Sequence, residues 1–225
     1  MTYPYTEPLF SNFLLVRMTL PLDKLEDFSK HMHELIPRVF SKKVGWELLR
    51  AGTHADKETV RVVHLWQLPE PANLWEGMYS VAADSTYAQL NKLVRTESQE
   101  LLRLAPLSPV KLELDEQSLD HFALCELGLV QDWRQVCQWR ERLLTLNVRK
   151  ETGPKDWPLY ATFRPQTGDL RRQINMWQLD RSALGNAASW EAEVEKTAPE
   201  SAKLADGTVV VAKHGPIEVY DVLRY

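Results

Sequence analysis

Two tryptophan pairs constrain the fold of this chain more than any other feature. Trp46 and Trp66 stand twenty residues apart, Trp157 and Trp177 stand twenty apart, and the second pair follows the first by 111 residues. The surroundings agree: Gly45-Trp46 with Val62-Val63-His64-Leu65-Trp66-Gln67-Leu68 recurs as Asp156-Trp157 with Gln173-Ile174-Asn175-Met176-Trp177-Gln178-Leu179. Tryptophan is rare, so a common register across half of the chain implies two copies of a unit of roughly 100 residues, a usual domain size.

Hydrophobic periodicity places the elements of each copy. In the first, Asn12 to Leu20 reads as a strand. Leu22, Leu25, Phe28, Met32, Leu35, Ile36 and Val39 then form the apolar face of a helix bent near Pro37. Trp46 to Ala51 and Val60 to Leu68 read as two further strands, Ala72 to Leu104 as a long helical region, and Val110 to Leu114 as a closing strand. The second copy repeats the order, with strands at Phe122 to Val130, Leu159 to Phe163, Gln173 to Leu179 and Ile217 to Leu223. Its helices are expected at Trp133 to Arg149 and Ala183 to Lys196. Each half is then β-α-β-β-α-β, the ferredoxin-like unit. The expected fold class is α+β: repeats at 1–114 and 121–225, joined by the polar linker 115–120. A four-stranded sheet with both helices on one face leaves the other face bare, so the two repeats are expected to cover each other in an intramolecular, pseudo-dimeric α/β barrel.

With 44% hydrophobic and 26% charged residues, the chain has the composition of a globular protein, and a formal net charge of -4 disfavours nucleic acid and anionic membrane as partners. The two cysteines, Cys125 and Cys137, sit in apolar company and read as core thiols, which fits a cytoplasmic setting. No leader or membrane span is expected. The sequence contains no G-x-G-x-x-G, Walker, G-x-S-x-G or H-E-x-x-H motif. His31 and His33, two apart on a helix, point to different faces, so no metal site is expected. The arginine- and tryptophan-containing run Trp133 to Arg142 reads as an amphipathic helix rather than a base-stacking surface.

Three stretches follow one another in a recognisable order. Val62-Val63-His64-Leu65-Trp66 enters a helix, Ala82-Ala83-Asp84-Ser85-Thr86-Tyr87 carries an Asp-x-x-aromatic step, and Glu100-Leu101-Leu102-Arg103-Leu104-Ala105-Pro106 closes the pattern. They resemble the dimeric α/β-barrel superfamily, most nearly its NIPSNAP-like branch, here as a tandem duplication. The second copy keeps the pattern more faintly, with Asn175 in place of His64 and no Asp-x-x-aromatic step. The resemblance implies a small-molecule enzyme without a tightly bound organic cofactor: a monooxygenase, isomerase or cyclase acting on an apolar, oxygenated substrate. The alternative is a non-catalytic ligand-binding or scaffold protein. Haem-degrading members place a histidine on the helix after the strand tryptophan, where this chain has Glu76-Gly77-Met78, and haem is therefore not expected.

Strand alternation puts Val60, Val62, His64, Trp66 and Leu68 on one face, and the 111-residue shift puts Asn175 and Trp177 in the same layer. Those residues either fill a core or line an amphipathic cavity. Matching Phe13 with Phe122 sets Arg17 against Glu126, as a cross-copy ion pair or as a group that meets a polar substrate atom. The candidate catalytic residues are His64 and Arg17, as acid, base or oxyanion-stabilising groups. The candidate substrate-binding residues are Trp46, Trp66, Tyr79, Asn175, Trp177 and Glu126. The expected partner is a small molecule. The tandem makes a pseudo-dimeric monomer and leaves a further homodimer through its edge strands open.

Overall fold

The computed structural model describes residues 12–69, 74–105, 120–130, 133–148, 159–166, 169–179 and 203–225. The expected linker, the strand at Val110 to Leu114, the helix at Ala183 to Lys196 and Trp157 lie outside the described residues. The class is α+β with a mostly antiparallel sheet. Two compact units emerge, one built from Pro8–Arg103 together with Tyr220–Tyr225, the other containing Leu104–Val219.

In the first unit, β1 (Asn12–Pro21) alternates between two buried faces and lies between β3 (Thr59–Leu68) and β4 (Arg95–Leu104). β2 (Glu47–Ala55) flanks β3, and the end of β8 (Val211–Val222) pairs with β2 through Gly52 and Thr53, giving the order β4-β1-β3-β2-β8 with every pairing antiparallel. Between β1 and β2 runs α1 (Leu25–Leu35), whose spacing buries Phe28, Met32 and Leu35 against one face of the sheet. The bend expected near Pro37 takes the form of a π-helical stretch, Ile36–Ser41, because proline has no N–H to donate and its ring displaces the carbonyl one turn back.

A short α2 (Lys42–Val44) ends at Gly45, whose φ of +70° lies in the left-handed region. The Gly45 and Trp46 amides donate back to the Ser41 and Phe40 carbonyls, which turns the chain and delivers Trp46 to β2. A Cβ at Gly45 would meet only Pro69 Cγ at 3.9 Å, so the cost of a side chain there is in the backbone. Gly45→Ala is expected to destabilise the protein by about 1–2 kcal/mol, measured by denaturant unfolding.

The stretch expected as one long helix divides into three elements. α3 (Leu74–Ala82) and α4 (Ser85–Leu93) are separated by Asp84, whose carboxylate caps α4 by accepting from the Thr86 amide. Arg95–Leu104 is a strand, a correction to the helical reading. Its Glu, Gln, Leu and Arg residues are good helix formers, but pairing along nearly the whole of β1 outweighs that preference.

The second unit contains β5 (His121–Leu129), α5 (Trp133–Val148), β6 (Leu159–Pro165), β7 (Arg172–Leu179) and most of β8, with strand order β8-β5-β7-β6. Its β5–β7 register sets Cys125 opposite Asn175, where the first unit sets Val16 opposite His64. One irregularity also recurs. β2 bulges between Leu48 and Arg50 opposite Trp66, and β6 bulges between Leu159 and Ala161 opposite Trp177, displaced by the same 111 residues as the tryptophans. Cys125 is buried, and burial together with the nearby Glu126 charge pushes its thiol up to about 11, in keeping with a core thiol.

Candidate functional site

In the first unit the helix-facing side of the sheet does not pack solid. Val16 lies directly opposite both His64 on β3 and Gln99 on β4, and Met18 lies opposite Thr96, so these side chains share one face and form a floor. Met32 of α1, Phe40 of the π-helical stretch, Trp46, and residues of α3 and α4 including Met78, Tyr87 and Asn91 form the walls. The cavity, partly open to solvent, has a volume of about 130 Å³. Three indole and phenyl rings stand at one end: Phe40 lies 4.5 Å from Trp66 and 5.8 Å from Trp46, and the two indoles cross at 62° with centroids 6.2 Å apart.

His64 is the titratable centre of this wall. It is 2% exposed, and burial without a charged partner pushes its pKa down to about 3, so the imidazole is neutral at physiological pH. Its Nε2 lies 2.6 Å from the Tyr225 hydroxyl, and its ring packs 5.7 Å from Trp66 and 5.9 Å from Phe28. Burial also raises the Tyr225 phenol well above its ordinary value, so one proton is shared between two neutral groups. Trp46 Nε1 is buried with no hydrogen-bond partner among the described residues. Gly77 of α3 lies against this indole, and a Cβ there would come within 3.1 Å of Nε1.

The roof is tied down from outside. Arg38, in the π-helical stretch, donates from Nη1 to Asp84 Oδ2 at 2.6 Å and from Nη2 to Oδ1 at 2.9 Å, the bidentate arrangement in which a guanidinium binds a carboxylate best. The Arg38 hydrogen bonds hold the Asp84 carboxyl down to about 2, helped by the Thr86 amide. Glu34 and Thr86 complete the network. A single cluster thus joins the end of α1, the π-helical stretch and the start of α4.

The structure gathers His64, Trp46 and Trp66 around one cavity and separates the other candidates from it. Arg17 lies opposite Val63, on the far face of the sheet from His64, because neighbouring strand residues alternate. It donates to Glu100 Oε2 at 2.9 Å. The pairing of Arg17 with His64 in one catalytic centre is therefore corrected. Glu126 accepts from Arg172 at 2.5 Å, within its own unit. Tyr79 is 75% exposed and points away from the cavity that its neighbours Met78 and Val81 line, which corrects its assignment as a substrate contact. Asn175 and Trp177 share a face of the second unit, where Asn175 Oδ1 accepts from Gln173 Nε2 at 3.0 Å. The residues named around the cavity all come from the first unit.

Sequence reasoning missed Tyr225, which is 161 residues from His64. It also missed Phe40 and the methionines, which carried the ordinary signature of a buried helix face. Among the described residues, no three His, Cys, Asp or Glu side chains converge as a metal site, and no helix is long and apolar enough to cross a membrane.

No protein-family model matches the sequence, and no curated protein does either. Solved structures do match. A presumed monooxygenase from Fusobacterium nucleatum is similar over 95% of this chain and 93% of its own, with a TM-score of 0.57 and 10% identity. A presumed chlorite dismutase is similar over 95% of both chains, with a TM-score of 0.57 and 11% identity. A haem-binding protein from Thermus thermophilus covers 95% and 91%, with a TM-score of 0.53 and 13% identity. This chain shares the fold of these three proteins. Identities this low speak to fold alone.

Proposed function

We propose that the protein is a monooxygenase-like small-molecule enzyme whose reaction takes place in the first-unit cavity, at the His64–Tyr225 pair. The observation that carries this reading is a neutral imidazole buried in the wall of an apolar cavity. Oxygenation, isomerisation and cyclisation of an apolar, oxygenated substrate all begin by moving a proton next to an oxygen. A buried neutral imidazole is a weak base while the site holds no other charge. It becomes a competent one as a substrate anion forms beside it, because the anion offsets the cost of charging the ring in a low dielectric. Tyr225 fixes the ring's orientation through its hydrogen bond to Nε2.

One neighbour of the same fold is named a haem-binding protein, and haem does not fit this cavity. Its roughly 130 Å³ falls below the ~300–1,000 Å³ of ordinary drug-sized pockets, and haem needs at least that. The His64 Nε2 is also already engaged by Tyr225. No step is therefore routed through haem.

The NIPSNAP-like affinity and the division into ferredoxin-like repeats at 1–114 and 121–225 belong to the same proposal. Support comes from the strand order, fourth-first-third-second in both units, and from the bulge that recurs 111 residues on. In this reading the second copy, with Asn175 where the first has His64, serves as the structural partner, and Glu126, Asn175 and Trp177 help to pack it.

The test is oxygen uptake by purified protein with single-ring and fused-ring phenols and hydroquinones. Substrate-dependent uptake above that of heat-denatured protein is the expected result. Saturable binding with neither uptake nor product formation would replace the enzymatic reading by the ligand-holding one.

A further inference from the structure

The chemistry of the cavity wall narrows what it can hold, an inference that rests on the cavity being the functional site. Among the described lining residues none is Asp, Glu, Lys or Arg. The polar residues that line the wall are His64, Tyr87, Asn91, Thr96 and Gln99, all of which stay uncharged at neutral pH. Two charged pairs of the surrounding elements are committed elsewhere: Asp84 to Arg38 outside the roof, and Glu100 to Arg17 on the opposite face of the sheet. A carboxylate or phosphate entering this space would lose its hydration and meet no cation, and unpaired charge is the most costly thing to bury.

Size is the second constraint. An engineered protein cavity of about 150 Å³ holds one benzene ring. The cavity here, at about 130 Å³, accommodates one ring with small substituents, and its flat aromatic end made by Phe40, Trp46 and Trp66 suits a planar face. Three methionines, Met18, Met32 and Met78, line the rest and adapt to ring substituents without opening space for a second fused ring.

From these two constraints we infer that the cavity selects an uncharged, single-ring aromatic or quinonoid molecule with a small oxygen substituent, and rejects both carboxylated and fused-ring analogues. The ring lies against Trp66, with its oxygen substituent toward the polar side chains of the floor, His64 and Gln99.

Titration of 4-methylphenol, 4-hydroxybenzoate and 2-naphthol into ¹⁵N-labelled full-length protein at pH 7 tests this, read on the indole N–H resonances of Trp46 and Trp66, assigned by Trp46→Phe and Trp66→Phe. The expected result is a saturable shift of both signals by 4-methylphenol. 4-Hydroxybenzoate should bind at least about 100-fold and 2-naphthol at least about tenfold more weakly. Binding of 4-hydroxybenzoate within tenfold of 4-methylphenol, or binding of 2-naphthol as tight or tighter, would overturn the selectivity while leaving the cavity as the site. If none of the three moves either indole signal, both the selectivity and the site reading are overturned.

Discussion

Replacing His64 by glutamine is expected to remove one component of the acid sensitivity of this protein's stability and to lower turnover sharply. The sign follows from burial. His64 is neutral in the folded chain down to about pH 3, whereas in the unfolded chain it binds a proton below about 6.5. Between those values the unfolded state binds more protons, so this residue's contribution to stability is fully present above pH 6.5. It is lost progressively as pH falls toward 3, at about 1.4 kcal/mol per pH unit at most. Denaturant unfolding of the wild type from pH 7 to pH 4 should show that decline, and His64→Gln, which cannot titrate, should show it reduced. Glutamine still offers Tyr225 a hydrogen-bond partner, so the substitution does not orphan the buried hydroxyl, an error that would cost about 1–3 kcal/mol by itself. Turnover in the same variant should fall by about 10²–10⁴-fold, the usual contribution of general acid–base catalysis, with binding of the uncharged ring within a few-fold of wild type. An unchanged acid profile would show that His64 is not buried and neutral. Unchanged turnover would remove it from the reaction.

The second large effect concerns the roof of the cavity. Asp84→Ala removes both the cap of α4 and the acceptor of two Arg38 hydrogen bonds, and is expected to cost about 1–2 kcal/mol, near the upper range for a helix cap. Asp84→Asn separates the two roles, because asparagine caps a helix as well as aspartate does but carries no charge for Arg38. The asparagine variant should fall between wild type and alanine in Tm at pH 7. Its stability should also lose one part of the acid dependence. A carboxylate whose pKa is lowered to about 2 contributes stability above the ordinary carboxylate pKa of about 3.9 and loses it as pH falls toward 2, so the difference between wild type and Asp84→Asn should shrink over that window. Since Arg38 is 41% exposed, solvent screens this pair and the shift is smaller than that of a buried one. Alanine and asparagine variants of equal stability would show that the guanidinium contributes nothing beyond the cap.

The two variants also separate chemistry from support. His64→Gln should alter turnover with little change in binding. Asp84→Ala should weaken binding and turnover together, because it loosens α3 and α4 over a cavity whose polar groups it does not touch.

Much of the candidate site could be read from the residues. Alternation on β3 put His64 and Trp66 on one face, and the repeat drew attention to Trp46; all three meet at the cavity. The same alternation, applied to β1 against β3, would have separated Arg17 from His64, but only once the register Val16 opposite His64 was known, and register between distant strands is not written in either strand alone. Tyr79 failed for a related reason: α3 is apolar on most of its surface, and its periodicity did not say which side faces the sheet. Arg95–Leu104 failed because its composition suits a helix or a strand, and the choice was made by a partner strand about eighty residues earlier.

What the sequence by itself determined is therefore local and periodic: strands and most helices, the alternating faces of β1, β3, β5 and β7, the turn at Gly45, and a 111-residue echo that appears again as a matched pair of bulges. These follow from neighbours within a few residues, where sterics and side-chain spacing act directly. What only the tertiary structure decided is which distant groups meet: Tyr225 on His64, Arg38 on Asp84, Glu100 on Arg17, and the empty volume between a strand floor and a helical roof. A cavity has no residues of its own. It is the space left when side chains from separate strands and helices stop short of one another, and no local pattern along the chain encodes that shortfall.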